Sequence, residues 1–397
     1  MIRWGLGLLL SLSLLALIPQ CNLSGAVGGN RLPPLPLPPT GPSLRVALLS
    51  PASGELATFG RVLRNGSILA FDEWNSRGGV VGRRIEWSVY DADCAFDAAR
   101  QVTQQAVADG FQFIIGPLCS EAAIAAAEVA EVNGALLLAP TATHPLVTVN
   151  GQGQTRITVF RASYAYSFQG QAAARFAVET LEKGRAALFF DPNDDYSAAL
   201  GNAFSAEFTA QGGEIVYQSS YTPADTDFTH ALQAAADTGA DVIYLPAPVA
   251  VVNRLAAQWQ QPSPSKQLTL LGSDSWDASE LDLAAVEDSY FTRHFFLDEH
   301  RPAIQAFADA YKASYAVAPD TLAALGYDAA AILMEAIEQA GKLEVKRVAE
   351  ALEQGHFETV TGPISFDGQH NPVKPVPVVQ VKVGEVILAG YVEMQEK

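Results

Sequence analysis

The sequence predicts an α/β protein of two lobes in tandem, each a parallel sheet covered on both faces by helices. Three observations carry that expectation. Short apolar runs alternate with longer amphipathic or Ala-rich stretches from residue 44 onward. The alternation stops at a Gly/Gln-rich segment over 150–154 and then starts again. With 397 residues the chain has length for two or three domains with substantial cores.

Taken in order, the chain opens with Arg3 and an uncharged apolar run over 5–18, shorter than the roughly 18 residues that span a bilayer. We read residues 1–20 as an export signal. The alternative, an uncleaved signal anchor, lacks the basic stop-transfer flank that would support it. The sequence Leu17-Ile18-Pro19-Gln20-Cys21 resembles a bacterial lipoprotein signal, in which the Cys becomes the lipidated first residue, although Gln20 is larger than the residue usual there. The other role open to Cys21 is that of an odd, unpaired thiol. Residues 21–42 carry six Pro between Pro33 and Pro42 and read as an extended, semi-rigid tether.

In the first series, apolar runs over 44–49, 85–90, 113–115 and 135–138 read as strands, and 57–75, 96–109 and 122–133 as helices. The second series has strand-like 186–190, 214–219, 241–245 and 268–271, between helix-like 168–182, 196–211, 228–237 and 249–260. A tail follows, with helices over 302–315, 322–340 and 345–354 and a strand pair over 375–383 and 386–388. No internal repeat is evident.

Composition narrows the function. The chain is 49% hydrophobic and 17% charged, which excludes disorder, and 43 acidic against 25 basic residues argue against nucleic acid as a partner. The sequence contains no phosphate loop, complete dinucleotide fingerprint, nucleophile elbow, HExxH or paired CxxC. No enzyme activity, metal or cofactor is therefore expected. The run over 191–196 fails as a calcium loop, because Tyr196 stands where Gly is needed and Asn202 where Glu is needed. His144 reads as a turn residue beside the inferred cleft.

Ligands of open parallel sheets bind beyond the carboxyl ends of the strands, and three polar turns lie there. Gly116-Pro117-Leu118-Cys119-Ser120 leads into an Ala-rich helix, and Ala139-Pro140-Thr141-Ala142-Thr143 follows the next strand. Hydroxyls and free backbone N–H groups together suit a carboxylate. Ser120 is equally open to a role as helix cap and Thr143 to one as turn residue. In Gly272-Ser273-Asp274-Ser275-Trp276, Asp274 either meets an ammonium group or caps a helix over 278–286.

Together these residues resemble the solute-binding component of branched-chain amino acid ABC transporters, the leucine/isoleucine/valine-binding proteins of the type I periplasmic-binding-protein family. The resemblance rests on Ser53-Gly54-Glu55-Leu56-Ala57-Thr58-Phe59-Gly60, Gly78-Gly79-Val80-Val81-Gly82-Arg83, Ile115-Gly116-Pro117-Leu118-Cys119-Ser120, Pro140-Thr141-Ala142-Thr143 and Ala324-Leu325-Gly326-Tyr327-Asp328-Ala329, in this order. It implies two doubly wound lobes joined by a hinge crossed near Ala162, Tyr290 and Phe357, with 43–162 plus 291–356 as one lobe and 163–290 plus 357–397 as the other. It also implies a Cys94–Cys119 disulfide, which leaves Cys21 for lipidation.

By the same resemblance Ser120 and Thr143 hold a ligand carboxylate, the Thr141 carbonyl and Asp274 hold an ammonium group, Phe59 lines the side-chain pocket and Tyr196 closes over it. Two departures, Tyr166-Ser167-Phe168-Gln169-Gly170 and Pro246-Ala247-Pro248, fall near the expected ligand face. With one acidic partner fewer, the expected ligands widen from amino acids to amides, short peptides, aromatic acids and other small solutes. The function implied is a monomeric, non-enzymatic, extracytoplasmic protein, lipid-anchored to the membrane, that hands a small solute to an ABC permease. The alternative is a ligand-sensing lipoprotein that regulates a receptor or envelope enzyme.

Overall fold

The computed structural model describes residues 41–259, 268–276, 279–298 and 300–394. The expected signal segment, Cys21 and most of the tether lie outside the described residues. Among those described, no helix is long and apolar enough to cross a membrane.

The first sheet is built from β1 (Leu44–Ser50), β2 (Ile85–Asp91), β3 (Phe113–Ile115), β4 (Leu136–Ala139) and β5 (Val159–Arg161), with α1 (Ala57–Ser76), α2 (Phe96–Ala108) and α3 (Ser120–Asn133) as crossovers. Its order is β2-β1-β3-β4-β5, and every neighbouring pair is parallel. The period-2 side-chain alternation of a strand splits β1 between two cores. Val46 and Leu48 pack with Phe71 and Leu333 on one face, and Ala47 and Leu49 pack with Ala123 and Ala126 on the other.

The second series continues with α4 (Tyr166–Arg175), which runs on through a wider π-type turn at Phe176–Thr180. It proceeds through β6 (Arg185–Phe190), α5 (Asp195–Ala210), β7 (Glu214–Ser220), α6 (Thr229–Asp237), β8 (Val242–Leu245), α7 (Val249–Trp259), β9 (Thr269–Gly272) and β10 (Tyr290–Thr292). The parallel part of this sheet runs β7-β6-β8-β9-β10, the same order as the first sheet. The repeat that the sequence hides is thus present in the topology.

Helices α8 (Pro302–Tyr315), α9 (Thr321–Ala340) and α10 (Val345–Gln354) follow, then β11 (Phe357–Thr359), β12 (Gly362–Phe366) and β13 (Pro372–Val373) in a small antiparallel sheet. The chain ends its described course in β14 (Val376–Lys382) and β15 (Glu385–Val392), antiparallel strands on the β10 edge. The second sheet is therefore mixed rather than wholly parallel, a common arrangement at the edge of a doubly wound sheet.

The chain passes between the two sheets three times. Two passages differ from the expected boundaries. β10 pairs with β9 and β14, so the second passage follows Thr292, and Phe291 belongs to the second core. Phe357, Ile364 and Phe366 pack under the first sheet, so the third passage lies at 374–375 rather than at Phe357. Apolar packing decides which lobe a short strand joins, and the three-residue β11 carries too little pattern to reveal it.

The expected helix over 278–286 is absent from the described residues 279–286, where Ala285 and Val286 donate to the Asp282 carbonyl in a turn.

Candidate functional site

Both halves of the candidate site grow from the carboxyl ends of parallel strands. Gly116 follows β3 with φ 117°, and a Cβ there would lie 2.0 Å from the Leu49 carbonyl oxygen. Only glycine fits so close to β1 in that conformation, and the turn it makes aims α3 at the cleft. Cys119, bonded to Cys94, precedes α3.

Ser120 is the first residue of α3 and does not cap it. Its Oγ accepts the backbone N–H groups of Thr143 at 3.2 Å and His144 at 3.3 Å. With its oxygen so occupied, the hydroxyl proton is left to donate, and neither it nor the Thr143 hydroxyl has an acceptor among the described residues. Thr141 donates its hydroxyl to the Leu118 carbonyl at 2.6 Å, tying the two turns together. The Thr141 carbonyl has no donor among the described residues. His144 caps a 3₁₀ turn, its Nδ1 accepting from Leu146 N at 3.1 Å, and burial lowers the pKa of its ring.

The second wall is organised around Asp274. Gly272, at the end of β9, leaves room for the Trp276 indole, which a Cβ would approach to 2.1 Å. Trp276 is buried and donates its Nε1–H to the Leu245 carbonyl at 3.0 Å, which fixes the turn that carries Asp274. The Asp274 carboxylate accepts from the Tyr196 hydroxyl through Oδ1 and from His294 Nε2 through Oδ2 at 2.9 Å. Among the described residues no helix follows Asp274 for it to cap.

Tyr196 has one hydroxyl proton, and the Asp274 carboxylate is the closer of its two acceptors. The Gln169 Oε1 lies 3.1 Å from the same hydroxyl as a second acceptor, and the buried Gln169 nitrogen makes no hydrogen bond of ordinary geometry among the described residues. Burial disfavours the Asp274 charge, but the hydrogen bond and charge of His294, with Tyr196 and Gln169, outweigh it and hold the carboxyl below its ordinary value. Burial and then the Asp274 charge push the Tyr196 phenol far up.

Tyr166 joins the two walls. Its backbone N–H donates to the Thr143 carbonyl at 3.3 Å, and its ring stands edge-on to His144 and Tyr196 at centroid distances of 5.7 and 5.9 Å. Burial, then Asp195, raises its phenol to about 12. The expected gap left by an acidic residue at this position is thus filled by an aromatic bridge. The other departure lies within the second lobe: the Pro246 carbonyl accepts from Ser197 and Tyr221, and that of Ala247 accepts from Ser275.

Between the walls lies a cavity of about 240 Å³, lined by Phe59, Asp320, Thr321 and Leu322 from one side and Asp274, Trp276, Arg293 and His294 from the other. That equals about eight waters at about 30 Å³ each, the scale of a small organic solute. Phe59 is 51% exposed, an apolar ring open to the cleft. The cavity unites Phe59 with Asp274, and Tyr196 with it through Asp274. Ser120, Thr141 and Thr143 are not among its lining residues and form a separate polar patch joined through Tyr166.

Sequence reasoning missed Gln169, Arg293 and His294. The last two follow β10 directly, so the rule that found Ser120 and Asp274 would have found them had β10 been recognised. Three residues, Tyr-Phe-Thr, give no periodicity to recognise.

The sequence matches the family described as periplasmic binding protein over residues 43–385. It is 27% identical over 330 residues to the leucine-, isoleucine-, valine-, threonine-, and alanine-binding protein of Pseudomonas aeruginosa, covering 82% of this chain and 86% of that one. The structure is similar to that of a leucine binding protein from Thermotoga maritima (TM-score 0.70, 30% identity, 88% of this chain and 99% of that one). It is likewise similar to a branched-chain amino acid transporter substrate binding protein of Streptococcus pneumoniae, solved in complex with isoleucine (TM-score 0.71, 28% identity, 89% and 100%). With two sheets of one strand order, three passages between them and polar turns facing a common cleft, the chain belongs to the periplasmic binding protein family.

Proposed function

We propose that this protein captures an L-amino acid in the cleft between its lobes and delivers it to an ABC permease, binding without turnover. The observation that carries the reading is Ser120. Its oxygen already accepts two backbone N–H groups, so its proton, the Thr143 hydroxyl and the amino end of α3 offer a carboxylate three kinds of donor. The Thr141 carbonyl supplies an acceptor on the same wall for an ammonium group, and Phe59 offers an apolar surface for a side chain. The relatives that bind leucine, isoleucine, valine, threonine or alanine support this ligand class.

The same reading assigns 1–20 to export and Cys21 to lipid anchorage, with the tether holding the lobes off the membrane. Mass spectrometry of the membrane fraction is expected to find acylated Cys21 as the first residue.

Isothermal titration of the full chain, unfolded and refolded to strip carried-over ligand, against the L-amino acids tests the central claim. Micromolar or tighter binding of at least one amino acid is expected. Heat from none of them, with heat from a benzoate or another non-amino-acid solute, would leave the fold and overturn the ligand class.

A further inference from the structure

Arg161, the last residue of β5, is a buried cation that the ligand set described so far does not use. Its neighbour Phe160 packs into the core on one face of the sheet, so strand alternation sends the Arg161 side chain to the other face, against the turn that carries Thr143. It is 0% exposed there. Nη1 donates to the Ala142 carbonyl at 3.2 Å, and Nη2 donates to the Pro145 carbonyl at 3.3 Å and to the Thr148 hydroxyl at 3.0 Å. The Nε–H is buried without a partner among the described residues, and none of the ion pairs among them includes Arg161.

Asp367 acts on this guanidinium from farther off, but its own oxygens accept from Gln369 N, Asn371 N and the Asn371 side-chain amide. Burial lowers Arg161 to about 10, against the pull of Asp367 and then Tyr166, so it stays charged at neutral pH. A buried charge without a paired counter-charge is costly to keep.

The geometry connects that charge to the carboxylate donors. The Ala142 carbonyl and the Thr143 N–H are the two ends of one peptide group. Its oxygen accepts from Arg161 and from the Ser163 hydroxyl at 3.1 Å, and its N–H donates to Ser120 Oγ at 3.2 Å. A cationic donor on the oxygen polarises the peptide and strengthens its N–H as a donor, and the same polarisation acts next on the Ser120 hydroxyl proton. The opposite wall pulls the other way: Asp195 acts on both His144 and Tyr166, and Asp194 on Tyr166, so a carboxylate at Ser120 faces negative charge from the second lobe.

Building on the amino acid reading, we infer that Arg161 is a positioning residue that supplies the buried counter-charge for the ligand's α-carboxylate, acting through the Ala142–Thr143 peptide and Ser120 without touching the ligand, and that it thereby selects a free carboxylate over a neutral amide. The ligand's charge offsets the cost of the buried guanidinium, and the guanidinium offsets Asp194 and Asp195. Each favours the other by the same factor.

The test measures dissociation constants of the full, ligand-stripped chain for L-leucine against L-leucinamide, and for every other amino acid that binds against its own α-amide. At about pH 6 the amino groups of both members are protonated, so the pair differs in the carboxylate charge alone. Wild type is expected to prefer the amino acid about tenfold or more. In R161Q a neutral amide still donates to the turn, and the preference should fall about fivefold or more. R161K keeps the charge and should keep the preference to within about twofold, even where its looser fit weakens both ligands.

An equal loss for both members in R161Q, with the preference kept, would reduce Arg161 to a brace for the turn and overturn the inference. So would a preference lost as fully in R161K as in R161Q. Wild type binding an amino acid and its amide equally overturns it as well, leaves the amino acid reading intact, and needs no variant to fold. Binding of no amino acid overturns the underlying reading and the inference with it.

Discussion

Ser120 shows how one hydroxyl can be organised before any ligand arrives. Two backbone donors fix its oxygen, so its proton can point only away from them, and a carboxylate bound there gains a charge-assisted hydrogen bond without reordering the side chain. Such bonds contribute about 1.5–3 kcal/mol, so S120A should weaken binding of the cognate amino acid by about tenfold or more. Thermal unfolding of the empty protein should change little, since Ser120 is only half-buried and water can replace its oxygen for Thr143 and His144. Titration with unchanged affinity would remove Ser120 from the site. The candidate residues were legible to different degrees for a physical reason. Ser120, Thr143 and Asp274 follow apolar runs in the sequence, while the value of His294 comes entirely from contacts with Asp274 and Tyr164.

At the level of elements, the turn between β3 and α3 is a point where backbone geometry sets the site. Gly116 at φ 117° lies against the Leu49 carbonyl. G116A must both enter a region that side chains avoid and move β1 or the turn, which should cost about 2–3 kcal/mol in unfolding free energy. The urea midpoint should fall, and ligand affinity with it, because the same turn aims the amino end of α3. A wild-type midpoint would show that the turn relaxes freely. Long periodic elements such as α1 and α9 were legible from their apolar spacing. β5, β10, β11 and β13, each of two or three residues, exist because neighbouring strands pair with them. Their identity is tertiary, and the expected lobe boundaries at 291 and 357 shifted for that reason.

Across the whole molecule, the three passages between the sheets are tied to one another. Lys374, on the third passage, donates to the Ala162 carbonyl of the first at 3.1 Å and to Thr361 at 2.8 Å, and its Nζ lies 5.6 Å from the Tyr164 ring centroid. Asp328 of α9 receives Val360 N, Thr361 N and the Thr359 hydroxyl at 2.8–3.0 Å. Both charges are buried. Burial lowers Lys374 to about 8 against the pull of Asp328, and burial raises Asp328 despite Lys374 and its hydrogen bonds.

Removing either of two buried charges that attract each other leaves the other without its counter-charge and costs stability, whereas removing both costs less than the sum. D328N and K374M should each lower stability in urea, and K374M/D328N should lower it by less than their total. The pH dependence has a definite sign. Between about 8 and 10.5 the unfolded chain holds the Lys374 proton that the folded chain has lost, so stability rises with pH through that window. K374M lacks this term, and the gap between it and wild type should change over the same range and be flat below it.

What the sequence determined by itself was local: the alternation that makes two α/β lobes, the glycines and prolines that end the strands, and the hydroxyls and carboxylate placed just beyond them. Periodicity and turn chemistry act over a few residues, and a reader of the chain can see them. Only the tertiary structure decided that β14 and β15 close the second sheet antiparallel, that the last passage lies at 374–375, and that Asp274 is held by Tyr196 and His294 rather than left open. Those outcomes depend on which strands pair and which side chains meet across the cleft, and strand order and close packing, not neighbouring residues, set both.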